Sequence, residues 1–221
     1  MKKVIPVIFV LAVLSIGCKL SNLLQGSGGG SNSTSSASGG AVQSSDPKAD
    51  IVATSRKFID LKSFTAKMEG EGTTPIMSQV EYAAPDRFHV SYLGGTGAGT
   101  ELIYVGDESF MKSGGGKWTK MPGGGANPMT TLRASFTEEG LKTLTDVKFE
   151  GEDTVDGKPA LVYSYKNVTP VGASPFTAKM WVSKSTGVPM KIYAEYSNGV
   201  LKNMTVNYDT DSPVNIEAPI K

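Results

Sequence analysis

From residue 63 to residue 208 the chain repeatedly alternates apolar and polar side chains with a period of two, which confines it to β-strands. Phe64, Ala66 and Met68 alternate with Thr65, Lys67 and Glu69, and Val80 and Tyr82 with Gln79 and Glu81. Phe88, Val90 and Tyr92 alternate with Arg87, His89 and Ser91. Successive side chains of a strand point to opposite faces, so each run gathers its apolar groups on one side. Further runs cover 101–105, 108–113, 117–121 with Trp118, 147–150, 161–165, 177–182, 190–196 and 200–208. Gly, Pro or Asp bounds them. Gly106-Asp107, Asp156-Gly157 and Asn198-Gly199 have the composition of tight hairpin turns, which need positive φ. The pattern is that of successive antiparallel strands.

Two segments depart from it. Asp46-Pro47 is a helix start, with a capping carboxylate followed by proline in the first turn. Ile51, Ser55, Phe58 and Ile59 then share one face of a helix ending near Leu61. A second helix is expected over 128–144, broken around 135–137, because Met129, Leu132, Arg133 and Phe136 share a face that Leu141 and Leu144 extend. The glycines at 123–125 hinge it, making Met129, Leu132 and Phe136 the candidate gate. An antiparallel sheet of this many strands curls. The expected class is therefore α+β, mainly β: a strongly curled antiparallel sheet, or half-barrel, of about 11 strands, enclosing the N-terminal helix and a central helical segment.

Ahead of this domain lies a leader. Lys2 and Lys3 precede an apolar run over 4–16, closed by Gly17-Cys18, the layout of a secretory signal peptide. The run is shorter than the roughly 20 residues that cross a bilayer. Cys18 is the only cysteine, so no intramolecular disulfide forms. Residues 18–46, with 26–30 and 31–40 dominated by Gly and Ser, bury almost nothing and read as a tether. A Gly/Ser chain of about 28 residues has an r.m.s. reach of roughly 30 Å. The expected organisation is a signal peptide over 1–17, an anchored tether over 18–46 and one domain over 47–221.

Charge excludes one class of partner. Without the two leader lysines, 20 basic residues face 21 acidic ones with no basic cluster. Nucleic acid, whose phosphates require Lys and Arg patches, is not an expected partner. Polybasic attraction to anionic lipid is equally unsupported.

The sequence Leu14-Ser15-Ile16-Gly17-Cys18 resembles the lipobox of bacterial lipoproteins, with Ser15 where that family usually carries an aliphatic residue. The resemblance implies cleavage between Gly17 and Cys18 and a diacylglycerol thioether, usually with an added N-acyl chain such as palmitate, on Cys18. Two or more acyl chains hold a protein stably at a membrane. Lys19, in place of the Asp retention signal, favours the outer membrane in a two-membrane cell. Behind the tether, the order of helix, strands, helix and strands resembles the lipoprotein-carrier superfamily of half-barrels with an apolar cavity. Residues carrying the likeness are Pro85-Asp86-Arg87-Phe88, Ile103-Tyr104-Val105-Gly106-Asp107, Trp118 with Met121-Pro122, and Thr186 to Lys191, reading Thr-Gly-Val-Pro-Met-Lys. It covers about residues 47–209. It implies lipid or lipoprotein acyl chains as ligands, and it leaves open an envelope protein-interaction or stress-sensing module without a lipid ligand.

A cavity has an independent argument. The runs 102–105, 161–163 and 180–182 are apolar on both faces, so the second face is either covered or binds something. Parity selects Phe88, Val90, Tyr92, Leu102, Tyr104, Met180, Ile192, Met204 and Val206 as the candidate lining, and a one-residue slip would exchange the faces. The alternative is that both faces simply pack, one against helices and the other against the tail after Thr210.

Catalytic signals are weak. His89, the only histidine, falls on the polar face of its strand, and no Gly-x-Ser-x-Gly elbow is present. Zinc needs three or four N/S ligands, which one histidine and one acylated cysteine do not provide. Gly114-Gly115-Gly116-Lys117 and 95–99 lack the spacing of phosphate loops. Asp153 to Gly157 lacks the ligand order of a calcium loop. No catalytic residue, metal or cofactor is expected. Expression in bacteria with labelled palmitate tests the anchor: Cys18→Ser is expected to abolish labelling and move the protein into the soluble fraction. Retention of label by the variant would refute the assignment.

Overall fold

The computed structural model describes residues 40–41, 43–95, 97–122, 141–167, 175–197 and 200–220. Among the described residues, one helix, α1 (Pro47–Ile59), precedes eleven strands. These are β1 (Ser63–Gly72), β2 (Ile76–Ala83), β3 (Arg87–Gly95), β4 (Thr100–Val105), β5 (Glu108–Ser113), β6 (Thr119–Lys120), β7 (Leu144–Val155), β8 (Lys158–Asn167), β9 (Phe176–Ser183), β10 (Pro189–Tyr196) and β11 (Leu201–Asp209). They form a single sheet in the order β6-β5-β4-β3-β2-β1-β11-β10-β9-β8-β7. All its ladders are antiparallel. Each alternating run in the sequence corresponds to one strand.

α1 forms where the capping signal places it. The Asp46 carboxylate accepts hydrogen bonds from the backbone N–H groups of Lys48 and Ala49, at 3.0 and 3.2 Å. This satisfies donors that the first turn leaves without partners. Ile51, Thr54, Ser55 and Phe58 form the buried face, and the Ser55 hydroxyl donates back to the Ile51 carbonyl at 2.8 Å. The Asp156-Gly157 turn takes positive φ at both residues, 49° and 76°, as a two-residue hairpin loop requires.

α1 covers one face of the sheet, and the main core lies beneath it. Ile51 belongs to a cluster with Leu161, Tyr163, Tyr165, Ala178, Met180, Val182 and Ala194 of β8–β10. Phe58 belongs to a second cluster, with Phe64, Ala66, Tyr82, Phe88, Tyr104 and Val206. The Phe58 ring lies 4.9 Å from Phe64 of β1 and 5.1 Å from Tyr208 of β11, centroid to centroid. The C-terminal tail is irregular, as its prolines suggest, but it is packed. Ile216 and Val214 lie on the opposite face against Ile103, Phe110, Val105 and Trp118. Arg87 Nη1 donates to the Ile216 carbonyl at 2.7 Å.

The expected second helix needs one correction. Leu141 and Lys142 are helical, but Leu144 opens β7, paired with Asn167 of β8. The ladder captures Leu144 because its side chain enters the same cluster as Tyr163 and Tyr165. Met129, Leu132 and Phe136, together with the glycines at 123–125, lie outside the described residues. Phe58 joins α1 to both central strands, so Phe58→Ala is expected to cost about 3–5 kcal/mol of stability. Urea unfolding followed by circular dichroism checks this, and a loss below about 1 kcal/mol would contradict the packing described.

Candidate functional site

The register places every parity-selected side chain on one face of the sheet. Phe88 stands opposite Tyr104, and Val90 opposite Leu102, across β3 and β4. Val90 also faces Val80, and Tyr92 faces Ser78, across β3 and β2. Through Ala66 and Met68 the row continues to Tyr208 and Val206 of β11. From Val206 it passes to Ile192 of β10 and on to Met180 of β9, while Met204 pairs with Ala194. This is the face that α1 covers. Phe88, Val90, Tyr92, Tyr104, Met180 and Val206 are buried, and Leu102, Ile192 and Met204 are partly buried.

Polar groups interrupt this apolar surface near β2 to β5. Ser78, Thr100 and Ser109 are buried. Among the described residues the Ser78 hydroxyl has no hydrogen-bond partner. A buried hydroxyl left unpaired costs about 1–3 kcal/mol, so this atom is the group on the face most in need of a partner. Burial raises the phenol pKa of Tyr92, with the neighbouring Tyr104 adding to the effect, and burial likewise raises that of Tyr104. Both therefore stay neutral hydroxyls able to donate. Sequence parity marked Tyr92 and Tyr104 but missed Ser78, because serine in an alternating strand carries no signal of its own.

A separate cleft of about 130 Å³ lies between α1, Gly40-Ala41, Tyr163 and the β9–β10 turn at Gly187. None of the parity-selected residues lines it. The Tyr163 hydroxyl donates to Asp50 at 2.9 Å, and the Ser44 backbone N–H donates to the same carboxylate. Burial, then the bond to Asp50, raises the Tyr163 pKa. Ala41 packs against the β8–β10 cluster. The cleft is thus a by-product of how the entering chain is pinned to the domain.

The opposite face carries His89 where the sequence placed it, in a network that the sequence did not reveal. His89 Nδ1 lies 2.9 Å from Glu81, and Nε2 lies 3.1 Å from Glu101 and 3.2 Å from the Ser91 hydroxyl. Lys112 pairs with the other oxygen of Glu101 and stands 5.0 Å over the Trp118 ring. Ser91, His89 and Glu81 follow the order of a nucleophile, base and orienting acid. Here, however, Glu101 shares the nitrogen that would serve the serine. β3 is paired on both sides, which commits its backbone N–H groups to ladders and away from an oxyanion. The arrangement is a chain of charges tying β2 to β5. Among the described residues no group of three His, Cys, Asp or Glu could hold a metal ion.

No protein-family model and no curated protein sequence matches this chain. Solved structures do share its fold. The lipoprotein LppX of Mycobacterium tuberculosis superposes with a TM-score of 0.58 at 16% identity, covering 77% of this chain and 98% of that one. LprF from Mycobacterium bovis gives a TM-score of 0.58 at 12% identity, covering 79% and 97%. The resemblance read from the sequence is therefore matched at the level of fold, in these two mycobacterial proteins, one of them a lipoprotein.

The Glu101 network makes a pH prediction. The hydrogen bond from Lys112 is the largest influence on Glu101; desolvation opposes it, His89 reinforces it, and together they hold the carboxyl below its usual range. A depressed carboxyl pKa stabilises the fold above the unfolded-state value and loses that contribution as pH falls through the folded-state value. Thermal unfolding of the wild type should therefore weaken more steeply below about pH 4.5 than that of Glu101→Gln. Parallel acid profiles would remove the network from the stability account.

Proposed function

We propose that this protein is an exported lipoprotein, held to the cell envelope by acyl chains on Cys18, whose domain binds acyl chains of lipids or of other lipoproteins. The sheet curls into a half-barrel around α1, and its inner face, Phe88, Val90, Tyr92, Leu102, Tyr104, Met180, Ile192, Met204 and Val206, lines an apolar cavity. The segment with Met129, Leu132 and Phe136 gates it. The observation carrying this reading is one apolar face running from β4 to β9, interrupted in β2 by the buried Ser78 hydroxyl, which lacks a partner among the described residues.

The chemistry follows from both parts of that face. Apolar burial contributes about 0.8 kcal/mol per methylene, without directionality, so chains of varied length are accepted. Ser78 can donate to a carbonyl or ester oxygen, the one polar group common to acyl lipids, and so set the depth of the chain. The leader and the fold shared with mycobacterial lipoproteins support placement in the envelope. Within it, the protein receives, extracts or hands on lipid over about one tether length. With two membranes, the outer is the favoured site.

The chain from residue 18 onward, carrying Cys18→Ser and purified from bacteria, is expected to release acyl lipid on organic extraction and to appear lipid-bound in native mass spectrometry. Leu102→Trp fills the face and is expected to reduce uptake of a fluorescent fatty acid at least about tenfold. Ser78→Ala should leave stability unchanged or slightly raised while weakening uptake, since it removes an unpaired group. No recovered lipid together with no uptake would overturn the reading in favour of a protein-interaction module.

A further inference from the structure

The two ends of the sheet differ in charge. At one end lie the connections α1–β1 with Asp60 and Lys62, β2–β3 with Asp86, β4–β5 with Asp107, β7–β8 with Asp156 and β9–β10 with Lys184. Asp211 follows β11 at the same end. At the other end, the connections β1–β2 (73–75), β3–β4 (96–99), β8–β9 (168–175) and β10–β11 (197–200) contain no charged residue. At this end β5–β6 carries Lys117, and the stretch entering β7 carries Lys142. Exposed apolar side chains cluster near the uncharged tips. Leu93 is 57% exposed, Val200 53% and Met77 46%, values far above those of the core.

These positions adjoin one another. Met77 pairs with Gly94 at a register shift beside Leu93. A Cβ on Gly94 would meet the Met77 side chain at 3.4 Å. The Val200 carbonyl accepts from both the backbone and the hydroxyl of Thr73, tying the β10–β11 tip to the β1–β2 tip. Gly95, with φ of 70°, comes so close to the Pro75 carbonyl that a Cβ would sit 2.0 Å from it. Three tips are thus bound into one surface with the apolar groups outward. Charges flank these tips: Glu69 pairs with Met77 across β1 and β2, Glu71 and Lys202 adjoin Gly72 and Leu201, and Lys48 stands at the same end five strands away, bonded to the Leu144 carbonyl at the start of β7.

We propose that this surface of uncharged tips, formed by Pro75, Ile76, Met77, Leu93, Val200 and Leu201, docks on the surface of a lipid bilayer. Three adjoining tips without charge, carrying Leu, Val and Met, can insert into the headgroup boundary while the flanking charges stay in water. The tips of β1–β2, β3–β4 and β10–β11 contain no basic residue, so the docking does not depend on anionic lipid. The tether allows it. The described chain enters at Gly40, whose Cβ would collide with the Lys184 carbonyl at 1.9 Å, so it joins the domain at the charged end. Strands of ten residues put the two ends about 33 Å apart. The chain from Cys18 to Gly40 spans at most about 70 Å, enough for the domain to turn over and place its uncharged tips on the membrane that anchors it. Anchoring raises the effective concentration of that surface to about millimolar, so weak insertion suffices. The inference rests on the anchored, acyl-binding reading and adds to it the direction from which a lipid enters.

The test uses the chain from residue 18 with Cys18→Ser, floated with neutral phosphatidylcholine vesicles at about millimolar lipid, alongside native mass spectrometry for bound acyl lipid. The wild type is expected to float, and Leu93→Asp with Val200→Asp to reduce the bound fraction at least about tenfold. Both positions are exposed, so the fold and any bound lipid should persist in the double variant. Asn207→Asp with Thr154→Asp, equal in charge but away from the tips, should float like the wild type. Absence of flotation by the wild type, or equal loss in both double variants, overturns the docking. If acyl lipid is still recovered in that case, only the docking falls and the acyl-binding reading stands. A concentration-dependent dimer abolished by the Leu93 and Val200 substitutions would assign the surface to a second copy and likewise overturn it.

Discussion

The pairing of β1 with β11 is the interaction on which the sheet depends. It joins the first strand of the domain to the last, at the middle of the strand order, with Ala66 opposite Tyr208 and Met68 opposite Val206. Without it the chain would fall into two independent meanders, β1–β6 and β7–β11, each with an exposed edge. Closing so long a loop carries an entropic cost that only its later contacts offset. Those contacts are local to the seam. Phe58 of α1 sits on Phe64 from one side of the junction and Tyr208 from the other, and Met204 and Ile192 belong to the same cluster. The helix acts as a clasp over the joint, and the candidate ligand face spreads from it in both directions.

Strands were the readable part of this sequence because alternation encodes both an element and its buried face. The face assignment of Phe88, Val90, Leu102, Met180 and Val206 agrees with the register, since nothing slips parity within the runs that contain them. The shifts that do occur fall near strand ends, at Glu71/Gly72, Met77/Ser78 and Pro189/Lys191, or in β7, at Thr145/Lys148 and Phe149/Gly151. α1 was readable from its cap. Leu144 was misread because an apolar residue four places beyond Gly140 satisfies helical spacing and strand spacing equally, and only its ladder partner decides.

What the sequence could not convey are relations between distant segments. For β4 the structure takes the alternative that the sequence left open, packing against the tail after Thr210, with Val214 and Ile216 over Ile103 and Phe110, a pairing that no local pattern specifies. The expectation that both faces of such strands must be satisfied was sound, and for β4 the tail supplies the cover. Likewise Gln79, Glu81, His89, Ser91, Glu101 and Lys112 are unremarkable polar residues until the register aligns them. The unpaired Ser78 hydroxyl belongs to the same class, since an orphan atom is defined by what surrounds it.

The returning tail also fixes an order of events. A polypeptide emerges from the ribosome, or from an export channel, with its N-terminus first. Ile103 and Phe110 are delivered early, but the residues that shield them, and the arginine-held carbonyl of Ile216, arrive among the last. β1 waits in the same way for β11. Until the last strand and the tail arrive, the β1 edge and the outer face of β4 lack the contacts that cover them in the native fold. The order in which the covering segments are delivered is thus written into the topology.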